Sequence, residues 1–231
     1  MNRAVVVAID GPAGAGKSTI ARRVAEKLGF VYIDTGAMYR AVALWALRIG
    51  LDLEDHLRLE QLAFEAHIEF GAGNTILLNG DDVTAAIRQP EVSDVASKVS
   101  AVPGVRRAMV FEQRRIAESS AVVMEGRDIG TVVFPDAAVK VFLDADPAVR
   151  AERRAGELAQ KGQEVEVSEI EAQIRERDYR DATRPDSPMV RAPDASLVDT
   201  SNLTLEEAED AILKIVRSKL SNGKDHRTER N

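Results

Sequence analysis

Apolar residues along the chain form two kinds of segment, short continuous runs and longer amphipathic stretches. The run AVVVAI at 4–9 is rich in β-branched residues, the pattern of a strand buried on both faces of a parallel sheet. Helical periodicity follows over 17–28 and ends at Gly29, a residue that commonly terminates helices. This order of segments predicts an α/β fold.

The alternation continues to about residue 220 and predicts a five-stranded parallel sheet flanked by helices. The predicted strands are 4–9, 30–33, 121–124, 139–143 and 196–198. The predicted helices are 17–28, 37–48, 55–66, 105–118, 147–160, 168–183 and 204–220. Ligands of such sheets bind at the carboxyl ends of the strands, which is where candidate site residues are to be sought.

Two regions depart from this alternation. Short segments at 68–70 and 75–78, followed by the hairpin dipeptide Asn79-Gly80, predict a small antiparallel sheet in an inserted subdomain. The last residues, 221–231, are polar and predict a mobile tail.

Composition and charge exclude several classes of protein. The 231 residues include no cysteine, which excludes a disulfide scaffold and thiolate metal sites. A net charge of −7 disfavours binding along a nucleic-acid backbone. No apolar run reaches the roughly 18 residues of a membrane span, and the first residues lack a signal-peptide pattern. We therefore expect a cytoplasmic protein that binds neither membrane nor nucleic acid.

A phosphate-binding motif follows the first strand. It has the pattern G-x-x-x-x-G-K-[ST] and comprises Gly11, Pro12, Ala13, Gly14, Ala15, Gly16, Lys17 and Ser18, with Thr19 next in the helix. The glycines let successive backbone N–H groups point at phosphate oxygens, and the helix N-terminus favours an anion. Lys17 can reach the β- and γ-phosphates, and the Ser18 hydroxyl can ligate Mg²⁺. The motif predicts binding of a nucleoside triphosphate.

Arginines away from this loop suggest a second anion. Arg177, Arg180 and Arg184 share one helical stripe with Asp181, which is either a solvated face or an anion site. Arg150, Arg153 and Arg154 on the preceding helix are candidates for the ATP side, and the sequence leaves open which of them points inward.

Further polar residues follow the strands at their carboxyl ends. Thr35 and Arg40 follow the second strand, and a guanidinium there could clamp a phosphate bidentately. Arg127 and Asp128 follow the strand at 121–124, either as a structural ion pair or as site residues. A base-reading Asn-Lys-x-Asp element of the GTPase type is missing, so we expect a small-molecule kinase.

Four segments besides the phosphate loop carry a specific resemblance over about residues 4–220. They are DTGAMYR at 34–40, the stretch from Ser97 through Pro103 to Arg106, GRDIGTVVFP at 126–135 and ERDYRD at 176–181. With the hairpin insertion, they resemble bacterial cytidylate (CMP) kinases, in the nucleoside monophosphate kinase family of P-loop kinases.

The resemblance implies transfer of the ATP γ-phosphate to CMP or dCMP with Mg²⁺, as part of pyrimidine metabolism. It implies as catalytic residues Lys17, Arg127, Asp128, Arg154 and Arg184. It implies as substrate-binding residues Thr35, Arg40, Ser97, Arg106, Arg127, Asp128, Arg177 and Asp181, with Ser18 on the metal.

The resemblance also implies a domain organisation. We expect one kinase domain over 1–220, with a core of 1–35 and 103–220, a monophosphate-binding subdomain of about 36–102 and a short lid of about 155–168. A monomer is expected. The alternatives are a kinase for UMP, AMP or shikimate, or a nucleotide-binding switch. A switch needs no second anion site, so the arginines disfavour it.

Overall fold

A computed structural model describes residues 5–160 and 162–228 of the chain, without the side chains of residues 72 and 222–228. Its strands are β1 Val6–Asp10, β2 Val31–Asp34, β3 Ile68–Phe70, β4 Ile76–Leu78, β5 Asp81–Asp82, β6 Val122–Gly126, β7 Val139–Asp144 and β8 Ser196–Asp199. Its α-helices are α1 Lys17–Leu28, α2 Thr35–Arg48, α3 His56–Glu65, α4 Pro90–Val99, α5 Pro103–Ile116, α6 Pro147–Ala159, α7 Val167–Thr183 and α8 Leu205–Thr228.

The main sheet has five strands in the order β2-β6-β1-β7-β8. The central strand β1 pairs in parallel with β6 on one side and β7 on the other, and all five of its residues are buried. This explains its continuous apolar run, because helices cover both faces of a parallel sheet. The predicted fold class and the predicted number of main-sheet strands are confirmed.

Two compact units divide the described residues. The first contains 5–32 and 119–228, and the second is Ile33–Glu118, so the boundary falls within β2. The predicted subdomain 36–102 lies inside the second unit, which also contains α5.

The first unit has its own apolar core. Val7 and Ile9 of β1 and Val24 of α1 are completely buried, and they belong to the same cluster as Ile212 of α8. The start of α8 is a capping box, in which Glu207 N–H binds the Thr204 hydroxyl and the Glu207 carboxylate binds Thr204 N–H.

The second unit is built from α2, α3, α4 and α5 together with the small sheet β3-β4-β5. The predicted hairpin is present, since Asn79 and Gly80 both have positive φ, 54° and 88°, and join β4 to β5. The buried cluster of this unit includes Met38, Leu59 and Met109.

The structure adds or changes three elements. Helix α4 was not predicted, although Pro90 stands at its first turn, where proline is well tolerated. A π-helical turn, Ile129–Val133, follows β6. Helix α8 continues to Thr228, into the stretch 221–231 for which a mobile tail stays a prediction, and 229–231 lie outside the described residues.

Within the described part of the chain, none of the helices is long and apolar enough to cross a membrane.

Candidate active site

The phosphate loop of the first unit has the backbone that an anion site requires. Gly11, Gly14 and Gly16 have φ of 144°, 77° and 85°, values that favour glycine. A Cβ on Gly11 would lie 1.9 Å from the carbonyl oxygen of Leu143 on β7, so no side chain fits there. Gly16 precedes α1, whose first turn has no acidic residue and no side-chain cap. The N–H groups at this end are suited to phosphate oxygens.

Lys17 is buried beneath this loop, and its ammonium group donates to the carbonyl oxygen of Pro12 at 2.6 Å. Burial, followed by the positive charge of Arg127, lowers the pKa of Lys17 to about 7. Glu125 opposes this shift, and the Tyr32 hydroxyl donates to the carboxylate of Glu125. A lysine in such a place gains a strong electrostatic benefit when an anion binds beside it.

Arginines and carboxylates form a second group in the same unit. Arg127 Nε donates to Asp181 at 3.0 Å, while Arg184 lies 3.9 Å from Asp181 and 3.7 Å from Asp128. Burial would raise the pKa of Asp181, but Arg127, Arg177 and Arg184 outweigh it and hold that pKa below its usual value. We call Arg127, Asp128, Arg177, Asp181 and Arg184 the arginine–aspartate cluster.

The structure therefore brings together the site residues predicted in the first unit, with one exception. Arg154 is 43% exposed and pairs with Glu157 at 2.9 Å. Of the three arginines on α6, Arg150 is the one that contacts the phosphate loop, donating to the Ala13 carbonyl oxygen at 2.9 Å. Arg153 instead donates to the Thr200 carbonyl oxygen at 2.6 Å.

Arg150 also ties the loop to helix α7. It is almost fully buried and forms an ion pair with Asp178 at 2.7 Å. The structure thus resolves a question that the sequence left open, because helical spacing fixes which residues share a face but not what that face packs against.

The predicted residues of the second unit form two local groups. Asp34 caps α2 by accepting from Ala37 N–H at 2.9 Å, and it binds Arg40 at 2.8 Å. Gly36 leaves room for this pair, since a Cβ there would lie 3.0 Å from the Arg40 guanidinium. Thr35, at the start of α2, is buried.

The other group contains Ser97 and Arg106. Arg106 is 2% exposed, donates to the Ser100 carbonyl oxygen at 3.2 Å and lies over the ring of Tyr39, 5.5 Å from its centroid. The Ser100 hydroxyl in turn donates to the carbonyl oxygen of Ser97 at 3.0 Å. Ser100, between α4 and α5, thus links the two predicted substrate-binding residues, Ser97 of α4 and Arg106 of α5.

Sequence reasoning missed two buried carboxylates, those of Asp10 and Glu125. Asp10 is the last residue of β1 and Glu125 the last but one of β6, each in an otherwise apolar strand next to a recognised motif. That position was the available signal, because a carboxylate is rarely buried without a partner.

A phosphate loop after β1 of a five-stranded parallel sheet, with the arginine–aspartate cluster in the same unit, defines a P-loop kinase. The particular family follows from comparison with known sequences. The sequence model of the cytidylate kinase family matches residues 7–218, and the chain belongs to that family.

Individual relatives agree with this assignment. A cytidylate kinase of Solibacter usitatus (strain Ellin6076) is 62% identical over 223 residues, 96% of this chain and 96% of that protein. A cytidylate kinase of Pelotomaculum thermopropionicum is 48% identical over 228 residues, 97% of this chain and 99% of that protein.

A solved structure shows the same fold. The crystal structure of an uncharacterized protein from Eubacterium ventriosum ATCC 27560 has a TM-score of 0.53 at 12% identity and covers 93% of this chain and 99% of that one.

Proposed function

We propose that the protein transfers the γ-phosphoryl group of ATP to CMP, and also to dCMP, giving ADP and the corresponding diphosphate. The observation that carries the proposal is the arginine–aspartate cluster, because a protein that only binds a nucleotide needs no anion site beyond its phosphate loop. Family membership supports cytosine nucleotides as acceptors over UMP, AMP or shikimate, and over a regulatory switch.

The donor side of the reaction depends on the phosphate loop. Its backbone N–H groups and the N-terminus of α1 bind the phosphates of ATP. Lys17 contributes a positive charge that the bound polyanion stabilises, since burial makes that charge unfavourable in the free protein. Arg150 holds the loop through Ala13.

The transferring group would be stabilised by Arg127 and Arg184. Phosphoryl transfer spreads negative charge over three equatorial oxygens, and catalysis consists mainly of positioning and charge neutralisation. Asp181 keeps these two guanidinium groups close together before an anion arrives. We assign Arg177 and Asp181 to the sugar and phosphate of the acceptor.

Cytosine recognition is assigned to Ser97, Arg106 and Asp128. Cytosine presents an amino donor and two acceptors, so reading it requires one acceptor such as Asp and donors such as Ser or Arg. Arg106 is held by Ser100 and Tyr39, which limits its freedom before binding. Thr35 and Arg40 are assigned to the acceptor phosphate.

The acceptor needs no strong general base. A phosphate monoester has its second pKa near 6, so its attacking oxygen is mostly ionised at neutral pH. The site accordingly uses lysine and arginines.

Mg²⁺ fits the donor side of the site. The side chain of Ser18 is exposed at the start of α1, and no group of three or more metal-ligating side chains occurs in the described residues. This suits Mg²⁺, which is usually held by one or two protein ligands together with phosphates and water. Ser18 would hold the ion, and the ion would supply charge neutralisation at the phosphates.

An acceptor screen tests this function. ADP release is measured with Mg-ATP and, in turn, CMP, dCMP, UMP, AMP and shikimate. We expect fast turnover with CMP and dCMP alone. Slow ADP release that ignores every acceptor would leave the phosphate loop as a binding site and contradict the kinase assignment.

Three further features remain predictions. The lid of about 155–168 is assigned to the connection between α6 and α7, where closure would exclude water from the transferring group. A monomer that binds no nucleic acid is expected, as is a cytoplasmic location.

A further inference from the structure

Asp10 is a buried carboxylate without a place in the mechanism above. It is the last residue of the central strand β1, pairs in register with Gly126 of β6 and is 5% exposed. A carboxylate in such a position is unfavourable unless hydrogen bonds compensate its burial. Its partners therefore indicate what the residue does.

Both oxygens of Asp10 accept backbone hydrogen bonds from one turn. Ile129 N–H donates at 2.8 Å and Gly130 N–H at 2.7 Å. These are the first two N–H groups of the π-helical turn Ile129–Val133, and such groups lack acceptors within their own turn. Asp10 thus caps a turn that lies 119 and 120 residues further along the chain.

The neighbouring Asp128 does not perform this capping. It occupies the N-cap position, where an aspartate commonly binds the N–H groups that follow, yet it makes no side-chain capping hydrogen bond. Its carboxylate lies instead 3.7 Å from Arg184. Because Asp10 fills the capping role, the Asp128 carboxylate can face Arg184.

The packing around Gly130 shows how closely this turn is held. A Cβ on Gly130 would lie 3.3 Å from the Asp10 carboxylate and 3.1 Å from the Lys140 side chain. On the other side of Asp10 the phosphate loop begins at Gly11, where a Cβ would lie 1.9 Å from a backbone oxygen. Asp10 therefore joins two closely packed backbone segments, the phosphate loop and the turn that follows Asp128.

We propose that Asp10 is a positioning residue for the transfer reaction. It fixes the turn after Asp128, and thereby holds Arg127 and Asp128 in register with the phosphate loop. This inference rests on the proposed function. Burial, helped by the negative charge of Asp128, raises the pKa of Asp10 to about 6, although the hydrogen bonds from Gly130 and Ile129 and the charge of Lys17 act to lower it. At pH 8 the group is ionised and both oxygens are available as acceptors.

The first test is Asp10→Asn at pH 8 in the full chain. The amide keeps the shape but replaces one acceptor oxygen with a donor that faces an N–H group. We expect kcat with CMP to fall about 10²-fold, because small misplacements of reacting groups have effects of that size. The Kd for ATP should change by less than about threefold, since the phosphate loop keeps its own contacts.

A double-mutant cycle separates positioning from general damage. If Asp10 acts through the turn after Asp128, Asp10→Asn should lower kcat much less in an Asp128→Asn background than in the wild type. The loss of kcat in the double variant should then be at least about tenfold smaller than the product of the two single losses. A double-variant loss of kcat equal to the product of the single losses would overturn the proposal. A kcat of Asp10→Asn within about threefold of the wild type would also overturn it.

The matched control is Glu209→Gln, another buried carboxylate of the first unit. Glu209 is 1% exposed and pairs with Arg23 at 2.5 Å and Lys27 at 2.6 Å. Its loss should lower stability and leave kcat and the Kd for ATP unchanged. Comparable kinetic losses in both variants would mean that any buried acid gives this result, which contradicts a specific role.

A second measurement does not depend on the reaction. Amide hydrogen exchange at Ile129 and Gly130 should be strongly protected in the wild type, and about 10²-fold faster in Asp10→Asn than in Glu209→Gln. If Asp10→Asn does not fold, Gly130→Ala crowds the same carboxylate with a Cβ 3.3 Å from its oxygen, and should speed exchange at the same two amides. Unchanged exchange would overturn the proposal. If the wild type does not phosphorylate CMP but Asp10→Asn still speeds exchange at these two amides, the result contradicts the proposed function and leaves the structural role of Asp10 intact.

Discussion

At the scale of single residues, the main feature is burial of charge that binding is expected to compensate. Lys17 is deeply buried and has a pKa of about 7, well below the ordinary value for lysine. Asp181 shows the opposite situation, because its arginine neighbours outweigh burial and keep it ionised. We expect an anion to stabilise the charge of Lys17, and we expect Asp181 to keep its arginine neighbours together before that anion binds.

The pKa of Lys17 predicts that binding of Mg-ATP takes up a proton. Near pH 8 the amine is mostly neutral in the free protein, and bound phosphates would raise its pKa and restore the charge. We expect an uptake approaching one proton at about pH 8 that declines toward zero near pH 6, where the lysine is already charged. Calorimetric titrations in two buffers of different ionisation enthalpy measure it.

The control for this titration is Lys17→Arg, whose side chain stays charged at every pH used. Its binding should take up no proton at that site. A wild type that binds Mg-ATP near pH 8 without proton uptake would show that the lysine is already charged in the free protein.

Arg184 is expected to act on the transferring group. Arg184→Ala should lower kcat about 10²-fold or more, because a preorganised charge is lost from the transition state. Steady-state kinetics with CMP measure this. Arg175→Ala is the matched control, since Arg175 is 62% exposed and pairs with Glu171 on the same helix. An unchanged kcat for Arg184→Ala would remove this residue from the catalytic set.

At the scale of elements, the phosphate loop depends on the strand beside it. Gly11 connects β1 to the loop and lies against the backbone of Leu143 on β7. The central strand and its neighbour therefore determine where the loop can run. This contact is a property of the sheet, not of the motif.

Gly11→Ala should abolish most activity, because its Cβ would lie 1.9 Å from a backbone oxygen and the loop would have to move. We expect kcat/KM to fall at least about 10²-fold. The control is Gly156→Ala in α6, where an added Cβ meets no atom within 4 Å. It should raise the free energy of unfolding by about 0.5–1 kcal/mol. Similar effects of the two substitutions on activity and urea denaturation would contradict this distinction.

At the scale of the whole molecule, global charge and local charge differ in sign. The chain carries a net charge of −7, and both substrates are anions. Screening by salt limits the range of interactions between surface charges to roughly 10 Å at ordinary ionic strength. The nearby cations Lys17, Arg127 and Arg184 therefore dominate the electrostatic potential at the site. An acidic protein can therefore bind two polyanions.

Each unit has its own apolar core, which makes stability testable unit by unit. Ile212 is fully buried in the first unit, and Ile212→Ala should lower the free energy of unfolding by about 2–5 kcal/mol. Mg-ATP at about 100 times its Kd should restore about 2.7 kcal/mol, because it binds the folded phosphate loop. Thermal denaturation with and without nucleotide measures both. No stabilisation of this variant by Mg-ATP would contradict binding at the loop.

The sequence by itself determined the class of fold and the chemistry of the site. Buried strands of a parallel sheet are apolar on both faces, and the phosphate loop needs glycines at fixed spacing, so both leave local signals. The capping box at Thr204 and the hairpin at Asn79-Gly80 were predictable for the same reason. Helix α4 and the continuation of α8 were not, because their short or polar stretches give weak periodicity.

Only the tertiary structure decided which side chains meet. Arg150 contacts the phosphate loop while Arg154 pairs on the surface, although the two are one helical turn apart. Asp10 caps a turn more than a hundred residues away. Such contacts depend on strand order and helix packing, which bring distant segments together, whereas sequence patterns report local conformation and burial. The sequence therefore identified the groups that carry charge, and the fold decided which of them lie together.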